Sequence, residues 1–257
     1  MSALERFRLD GRVALVTGAS SGLGVGFAAV LAEAGASVAL AARRLDRAAG
    51  EARRIESAGG RAAAFALDVT DAQSIAAALD AIEAELGPVQ VLVNNAGVAG
   101  SARALQVAAE DWRRLMATNL DGVWAMAQAV AQRLVERQLP GSIVNIASIL
   151  AERQCTGTAP YATSKAAVAQ LSKSLALEWA RHGIRVNALA PGYISTDLNR
   201  DYLASEAGQA MLKNIPQRRV GSSEELAGPL LLLASDAGSF ITGSLLAADG
   251  GHLVSSL

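Results

Sequence analysis

Short apolar runs alternate with longer amphipathic stretches along this chain of 257 residues. Seven short runs are predominantly apolar and bounded by turn-forming residues, the pattern of strands buried on both faces. They cover residues 12–17, 37–42, 62–67, 89–94, 142–147, 185–190 and 245–248. Between them, helical spacing predicts helices over 23–34, 45–58, 71–86, 109–137, 159–182 and 223–235. Thr70-Asp71 and Ser222-Ser223-Glu224-Glu225 supply helix-starting caps. Regular alternation of strand and helix, with no linker and no repeat, predicts one α/β domain over 1–257. It should be doubly wound, with a mostly parallel seven-stranded sheet and helices on both faces. An irregular insertion at about 193–217 interrupts the pattern after the sixth strand, where a substrate lid can sit.

The helix over 159–182 is apolar nearly all round, through Ala166, Ala167, Val168, Ala169, Leu171, Leu175, Ala176, Leu177 and Trp179. Such a helix must be covered on more than one side. One side can meet the sheet and the other a second subunit, which predicts a homo-oligomer.

Composition narrows the function. Hydrophobic residues make up 51% and charged residues 18%, with a formal net charge of -1. That supports a large core and gives no electrostatic footprint for nucleic acid or an anionic membrane. The pairs Arg43-Arg44 and Arg53-Arg54 are local. Cys155 is the sole cysteine, so neither an intrachain disulfide nor a cysteine-rich metal site is expected, and a cytoplasmic location is the natural reading. No apolar run reaches the roughly 18 residues a membrane helix needs.

The first strand runs into Thr17-Gly18-Ala19-Ser20-Ser21-Gly22-Leu23-Gly24 at a strand-to-helix turn. Glycines there let the backbone approach a pyrophosphate, whose charge sits at the helix N-terminus. The alternative is a turn that merely packs helix on strand. The second strand ends Ala41-Ala42-Arg43-Arg44. An acidic residue at this strand end would bond a ribose 2′-hydroxyl; an arginine pairs with a 2′-phosphate. This favours NADP over NAD, mainly through Arg43. Asp68 and Val69 follow the third strand, and Asn95, Ala96 and Gly97 follow the fourth, both at ligand-binding strand ends. Asp68 can accept from an adenine amino group or cap the turn at Thr70.

Ser148 follows the fifth strand, and Tyr161-Ala162-Thr163-Ser164-Lys165 opens the next helix. Tyr161 and Lys165 share a helical face. A phenol titrates near ~10 and is a poor proton carrier at neutral pH, but a nearby ammonium can lower its pKa by ~1–3 units. Ser148 can hydrogen-bond a carbonyl oxygen as charge develops there.

Together these motifs resemble those of the short-chain dehydrogenase/reductase family, over almost the whole chain. The carrying residues are Thr17-Gly18-x-x-x-Gly22-x-Gly24, Asp68-Val69, Asn94-Asn95-Ala96-Gly97, Asn119, Ser148, Tyr161-x-x-x-Lys165 and Pro191-Gly192-x-Ile194-x-Thr196. The resemblance implies a Rossmann-type fold and an NADP- or NAD-dependent oxidoreductase interconverting a ketone, or a 3-oxoacyl group, and a secondary alcohol. It implies that Tyr161 is the general acid/base, that Lys165 binds the nicotinamide ribose and lowers the phenol's pKa, and that Ser148 polarises the substrate oxygen. Asn119 would hold a relay water, and Ile194 and Thr196 would fix the carboxamide. A homotetramer is implied as well. Ser21 departs from the basic residue that many NADP-using members carry.

Substrate-wall candidates are Val98, Ile149, Leu150, Gln154, Tyr193, Leu198 and Tyr202. That largely apolar set points to a neutral or hydrophobic carbonyl. Cys155 has no histidine near it in sequence, so a nucleophilic role is not expected. His182 reads as a helix-end residue and His252 as packing in the tail. A non-catalytic dinucleotide-binding subunit would have shed a catalytic side chain. A methyltransferase would place an acid at Ala42 and leave Tyr161 and Lys165 without purpose.

Overall fold

The computed structural model describes residues 2–195, 203 and 205–255. Seven parallel strands form one sheet in the order β3-β2-β1-β4-β5-β6-β7. They are β1 (Val13–Thr17), β2 (Ser37–Ala42), β3 (Arg61–Ala66), β4 (Val89–Asn94), β5 (Gly141–Ile146), β6 (Ile184–Pro191) and β7 (Leu245–Ala248). The predicted runs match these to within a residue or so. Central strand β1 is buried throughout, whereas edge strand β3 is exposed at both ends. That difference follows from helices covering both faces of the middle of the sheet.

Helices α1 (Leu23–Glu33), α2 (Leu45–Ser57) and α8 (Ala227–Ala234) cover one face, burying Phe27, Leu31, Ile55 and Leu230. Helices α3 (Ala72–Glu85), α5 (Gly122–Glu136) and α6 (Ala159–Trp179) cover the other, burying Leu79, Ile82, Met126, Leu134 and Leu175. The Asp71 carboxylate caps α3 by accepting from Gln73 N. Ser222 and Glu225 form a reciprocal capping box that opens a 3₁₀ turn, Ser223–Leu226, which leads into α8, so 223–235 is not one continuous α-helix.

Two predicted elements differ. The segment 109–137 is not one helix: α4 (Ala109–Met116) and α5 are joined by a π-helical turn, Ala117–Asp121. Within the predicted insertion, α7 (Glu206–Leu212) is described, and the insertion's base is closed by a parallel bridge between Ile194 and Gly221. The inward face of α6 is also more polar than its composition suggested, since Ser164, Lys165 and Ser172 are buried. Among the described residues, no helix is long and apolar enough to cross a membrane.

Strand order reverses between β1 and β4, the crevice where open α/β sheets take ligands. Thr17 joins the two strand ends there. Its Oγ1 accepts from Asn95 N at 3.1 Å and Ala96 N at 3.0 Å, while Asn95 Nδ2 donates to Thr17 O at 2.9 Å.

Candidate active site

A cavity of about 890 Å³ opens at this crevice. Gly18, Ser20, Ser21, Gly22 and Leu23 line one end, with Arg43 and Arg44 beside them; Ser148, Tyr161, Lys165 and Tyr193 line the other. Asn95, Ala96, Gly97, Pro191, Gly192 and Ile194 lie between, and Asp68 and Val69 lie beside the arginines' strand.

The glycines are needed for space as well as conformation. Gly18 has φ +69, and a Cβ there would meet Ala96 Cα at 2.8 Å. A Cβ on Gly24 would meet both Gly18 O and Asn95 Nδ2 at 2.6 Å. The turn therefore lies flat on the β4 end, with Gly18 N and Ala19 N donating to Ala41 O at 2.8 and 3.3 Å, while Ser20, Ser21, Gly22 and Leu23 at the start of α1 line the cavity, a fit for a dinucleotide pyrophosphate at a helix N-terminus.

The two arginines diverge. Arg44 Nη2 donates to Ser20 Oγ at 3.1 Å and to Ser21 Oγ at 2.8 Å, which places its guanidinium over the glycine turn. Arg43 lines the same cavity, close enough to Asp68 to act on its charge. The Asp68 carboxylate is held below its ordinary pKa mainly by bonds from Thr70, with a smaller contribution from Arg43. Thr70 N and Oγ1 donate to Asp68 Oδ1 at 3.0 and 2.7 Å, so this carboxylate acts as the turn former that the sequence left as an alternative.

At the far end, β5 delivers Ser148 in extended conformation, its Oγ accepting from Leu150 N at 3.1 Å. The α6 face brings Tyr161 and Lys165 opposite. Lys165 is 4% exposed, its Nζ donates to Ile146 O at 2.7 Å and it lies 5.7 Å from the Tyr161 ring centroid. Burial lowers the lysine's pKa to about 8. Burial also pushes the Tyr161 phenol above its ordinary value, and Ser148 opposes the rise. The sequence reading expected Lys165 to lower the phenol. In the chain by itself the net shift is upward, with burial its largest cause.

The lysine's shift has a measurable consequence. Burying the ammonium disfavours its charged form, so the folded chain binds fewer protons than the unfolded chain between pH about 8 and the unfolded lysine value near ~10.4. Stability should therefore rise with pH across that window. Without cofactor, the Tm of the wild type measured against Lys165→Met should increase from pH 8 to 9.5. A flat or falling difference contradicts this.

Asn119 sits buried in the π turn. Its Oδ1 accepts from Val98 N at 2.8 Å, and its Nδ2 donates to Val98 O at 2.9 Å and Ser164 Oγ at 3.3 Å. It therefore clamps the loop after β4 to α6. A Cβ on Gly97 would lie 3.4 Å from Asn119 Oδ1 and 3.8 Å from Lys165 Nζ, so both side chains border the same space. π turns recur at functional sites because they aim a side chain that regular helix would misplace.

Leu150 and Gln154, expected to meet substrate, are not among the cavity's lining residues. Ile149 is buried below it, whereas Val98 and Tyr193 do line it. Thr196, Leu198 and Tyr202 lie outside the described residues. Cys155 is free and exposed. Sequence reasoning named Thr17, Asn94 and Asn119 within their motifs but missed the brace that Thr17 makes, the clamp made by Asn119, and a buried chain in which Asn94 donates to Asn145 at 2.9 Å and Asn145 to Ser172 at 2.9 Å. Polar residues recurring at strand and helix positions that should face the core were its only sign. Among the described residues, no group of three or more His, Cys, Asp or Glu is placed to hold a metal.

A doubly wound sheet whose glycine turn leads into a cavity ending on Ser148, Tyr161 and Lys165 defines a class, the hydride-transferring oxidoreductases. A family model described as enoyl-(acyl carrier protein) reductase matches residues 18–252. Gluconate 5-dehydrogenase of Gluconobacter oxydans is 40% identical, over 99% of this chain and 100% of its own length. D-threitol dehydrogenase of Mycolicibacterium smegmatis is 42% identical, over 96% of this chain and 95% of its own. The crystal structure of a gluconate 5-dehydrogenase from Burkholderia cenocepacia, in complex with NADP and tartrate, superposes with a TM-score of 0.95 at 42% identity. It covers 99% of this chain and 100% of that one. The chain belongs to the short-chain dehydrogenase/reductase family.

Proposed function

We propose that this chain is an NADP-preferring oxidoreductase that interconverts a hydroxylated ketone and its secondary alcohol. One observation carries the reading: Ser148, Tyr161 and Lys165 converge at the end of a cavity whose other end is the glycine turn. A non-catalytic dinucleotide binder would have no need of that convergence.

The glycine turn holds the pyrophosphate, Arg44 with Ser20 and Ser21 holds the 2′-phosphate, and Lys165 bonds the nicotinamide ribose. Pro191, Gly192 and Ile194, with Thr196, fix the carboxamide side. The nicotinamide, when bound, supplies or accepts the hydride. Tyr161 gives its proton to the carbonyl oxygen as the alcohol forms, and takes one back in the reverse direction. Ser148 donates a hydrogen bond to the same oxygen, stabilising the charge that builds on it. Asn119 steadies α6 and the loop after β4, and borders the route by which a proton reaches Lys165.

The substrate class is taken from two supports. Relatives named for gluconate and D-threitol act on polyhydroxylated compounds. The cavity lining includes the polar groups of Thr118, Ser148, Tyr161 and Tyr193, in place of the apolar Leu150 that the sequence reading put there. 5-Keto-D-gluconate with NADPH should therefore outperform a hydrophobic ketone of similar size when oxidation of the cofactor is followed by absorbance. No turnover of any carbonyl in a broad panel defeats the reading.

Cofactor choice is tested at Arg44. Losing a charge-assisted contact costs ~1.5–3 kcal/mol, so Arg44→Ala should raise the KM for NADPH about tenfold or more. The KM for NADH should change little. Equal losses for both cofactors contradict a 2′-phosphate role.

We further propose a homotetramer. Its support is the groove between α5 and α6, where Trp124, Val135 and Leu177 are exposed among polar neighbours, together with fully exposed Phe240 near β7. A cytoplasmic location is proposed on the lone cysteine.

A further inference from the structure

The segment after β7 packs against Gly192 and Tyr193, which line the substrate end of the cavity. Asp249 turns the chain there, its Oδ1 accepting from Gly251 N at 2.9 Å and its Oδ2 from Leu253 N at 2.6 Å. The short turn His252–Val254 that follows rests on two other segments. Arg153, in the loop after β5, donates through Nη1 to Ser255 Oγ at 2.8 Å and to the carbonyl of His252. The His252 ring lies against the Tyr193 ring, with centroids 5.7 Å apart. The neighbouring Gly192 is pressed on the same segment, since a Cβ there would meet Asp249 Cα at 2.7 Å.

His252 is 7% exposed, and among the described residues its Nδ1 is the buried side-chain nitrogen with no hydrogen-bond partner. Leaving such an atom unpaired costs ~1–3 kcal/mol, so the ring stays only if other contacts hold it. Burial and the Arg153 guanidinium both push its pKa below the ordinary histidine value, which keeps it neutral at pH 7. A neutral imidazole can lie on a phenol ring without desolvating a charge. Arg153 supplies the holding force on the backbone of the same residue, from 99 positions away in sequence.

We propose that Arg153 and His252 are positioning residues: together they clasp the C-terminal turn so that His252 fixes Tyr193 at the substrate end of the cavity. The clasp rests on the reading of that cavity as a carbonyl-reducing site. It acts on substrate affinity, since Tyr193 lines the cavity while Arg153 and His252 are not among its lining residues. It leaves the glycine turn, and with it the cofactor's phosphates, untouched.

Hydrogen exchange and steady-state kinetics of the full-length protein test this. The reporting amides are Gly192 N, bonded to Ala248 O at 3.0 Å, and Ser195 N, bonded to Gly221 O at 2.8 Å. Arg153→Ala should speed exchange at both about tenfold or more. It should also raise the KM for 5-keto-D-gluconate about tenfold, with kcat and NADPH affinity within about twofold of wild type. Arg153→Lys, which keeps a cationic donor, should recover most of both effects. His252→Ala, which removes the ring but keeps the turn, should raise KM similarly. Unchanged exchange at Gly192 and Ser195, or an unchanged KM in both alanine variants, overturns the clasp. A wild type that reduces no carbonyl defeats the functional reading alone, and the exchange result still decides the clasp.

Discussion

Replacing Tyr161 with Phe is expected to lower kcat for carbonyl reduction about a thousandfold, within the ~10²–10⁴ that a positioned proton carrier contributes. The phenyl ring keeps its place on α6 beside Lys165, and Lys165 keeps its bond to Ile146 O, so only the hydroxyl is lost. NADPH affinity should stay within about threefold. The direction of the tyrosine's shift adds a second expectation. Burial holds the phenol protonated through neutral pH in the chain by itself. A protonated phenol is the form that reduction needs, and the phenolate is the form that oxidation needs. Reduction should thus run at full rate near neutrality and fall as pH climbs toward the phenol's pKa in the working complex, while oxidation of the alcohol should rise over the same range. Rates for Tyr161→Phe within tenfold of wild type would remove the proton role.

Gly24→Ala should be the most damaging change of a single methyl group. In an ordinary helix interior, alanine in place of glycine stabilises by ~1 kcal/mol. Here the added methyl would overlap Gly18 O and Asn95 Nδ2, each 2.6 Å away. Relief requires the glycine turn to lift off the β4 end, breaking the bonds from Asn95 Nδ2 to Thr17 O and Gly18 O. Overpacking costs ~1–3 kcal/mol, and each lost hydrogen bond ~0.5–1.5 kcal/mol, so the clash outweighs the propensity gain. Tm should fall by several degrees, as ~2 kcal/mol implies at this size. NADPH binding should weaken about a hundredfold, because the amides facing the phosphates move with the turn. Wild-type affinity in Gly24→Ala would show that the turn does not cradle the cofactor.

The sheet was legible because parallel strands covered on both faces are apolar at successive positions, as in Val13–Val16 of β1. The constellation of Ser148, Tyr161 and Lys165 was legible because a strand end and one helical face fix where those side chains point. The π turn at Ala117–Asp121 was not. Its apolar positions continue the helical rhythm of 109–137, and the extra residue is held by the bonds of Asn119 to Val98, which lies in a different segment. Arg43 and Arg44 are neighbours, so spacing alone does not say which turns toward the serines; in the structure Arg44 does. The sign of the tyrosine's shift also depended on burial, a property of the folded surroundings rather than of the Tyr-x-x-x-Lys spacing.

The central claim is that Tyr161 carries the proton that accompanies hydride transfer. Single-turnover reduction of 5-keto-D-gluconate by protein preloaded with NADPH, followed against pH in wild type and Tyr161→Phe, tests it most directly. The wild-type rate should show one ionisation, fast below it and slow above, and the variant should be slow with no such step. The same ionisation in both proteins would assign the proton to another group.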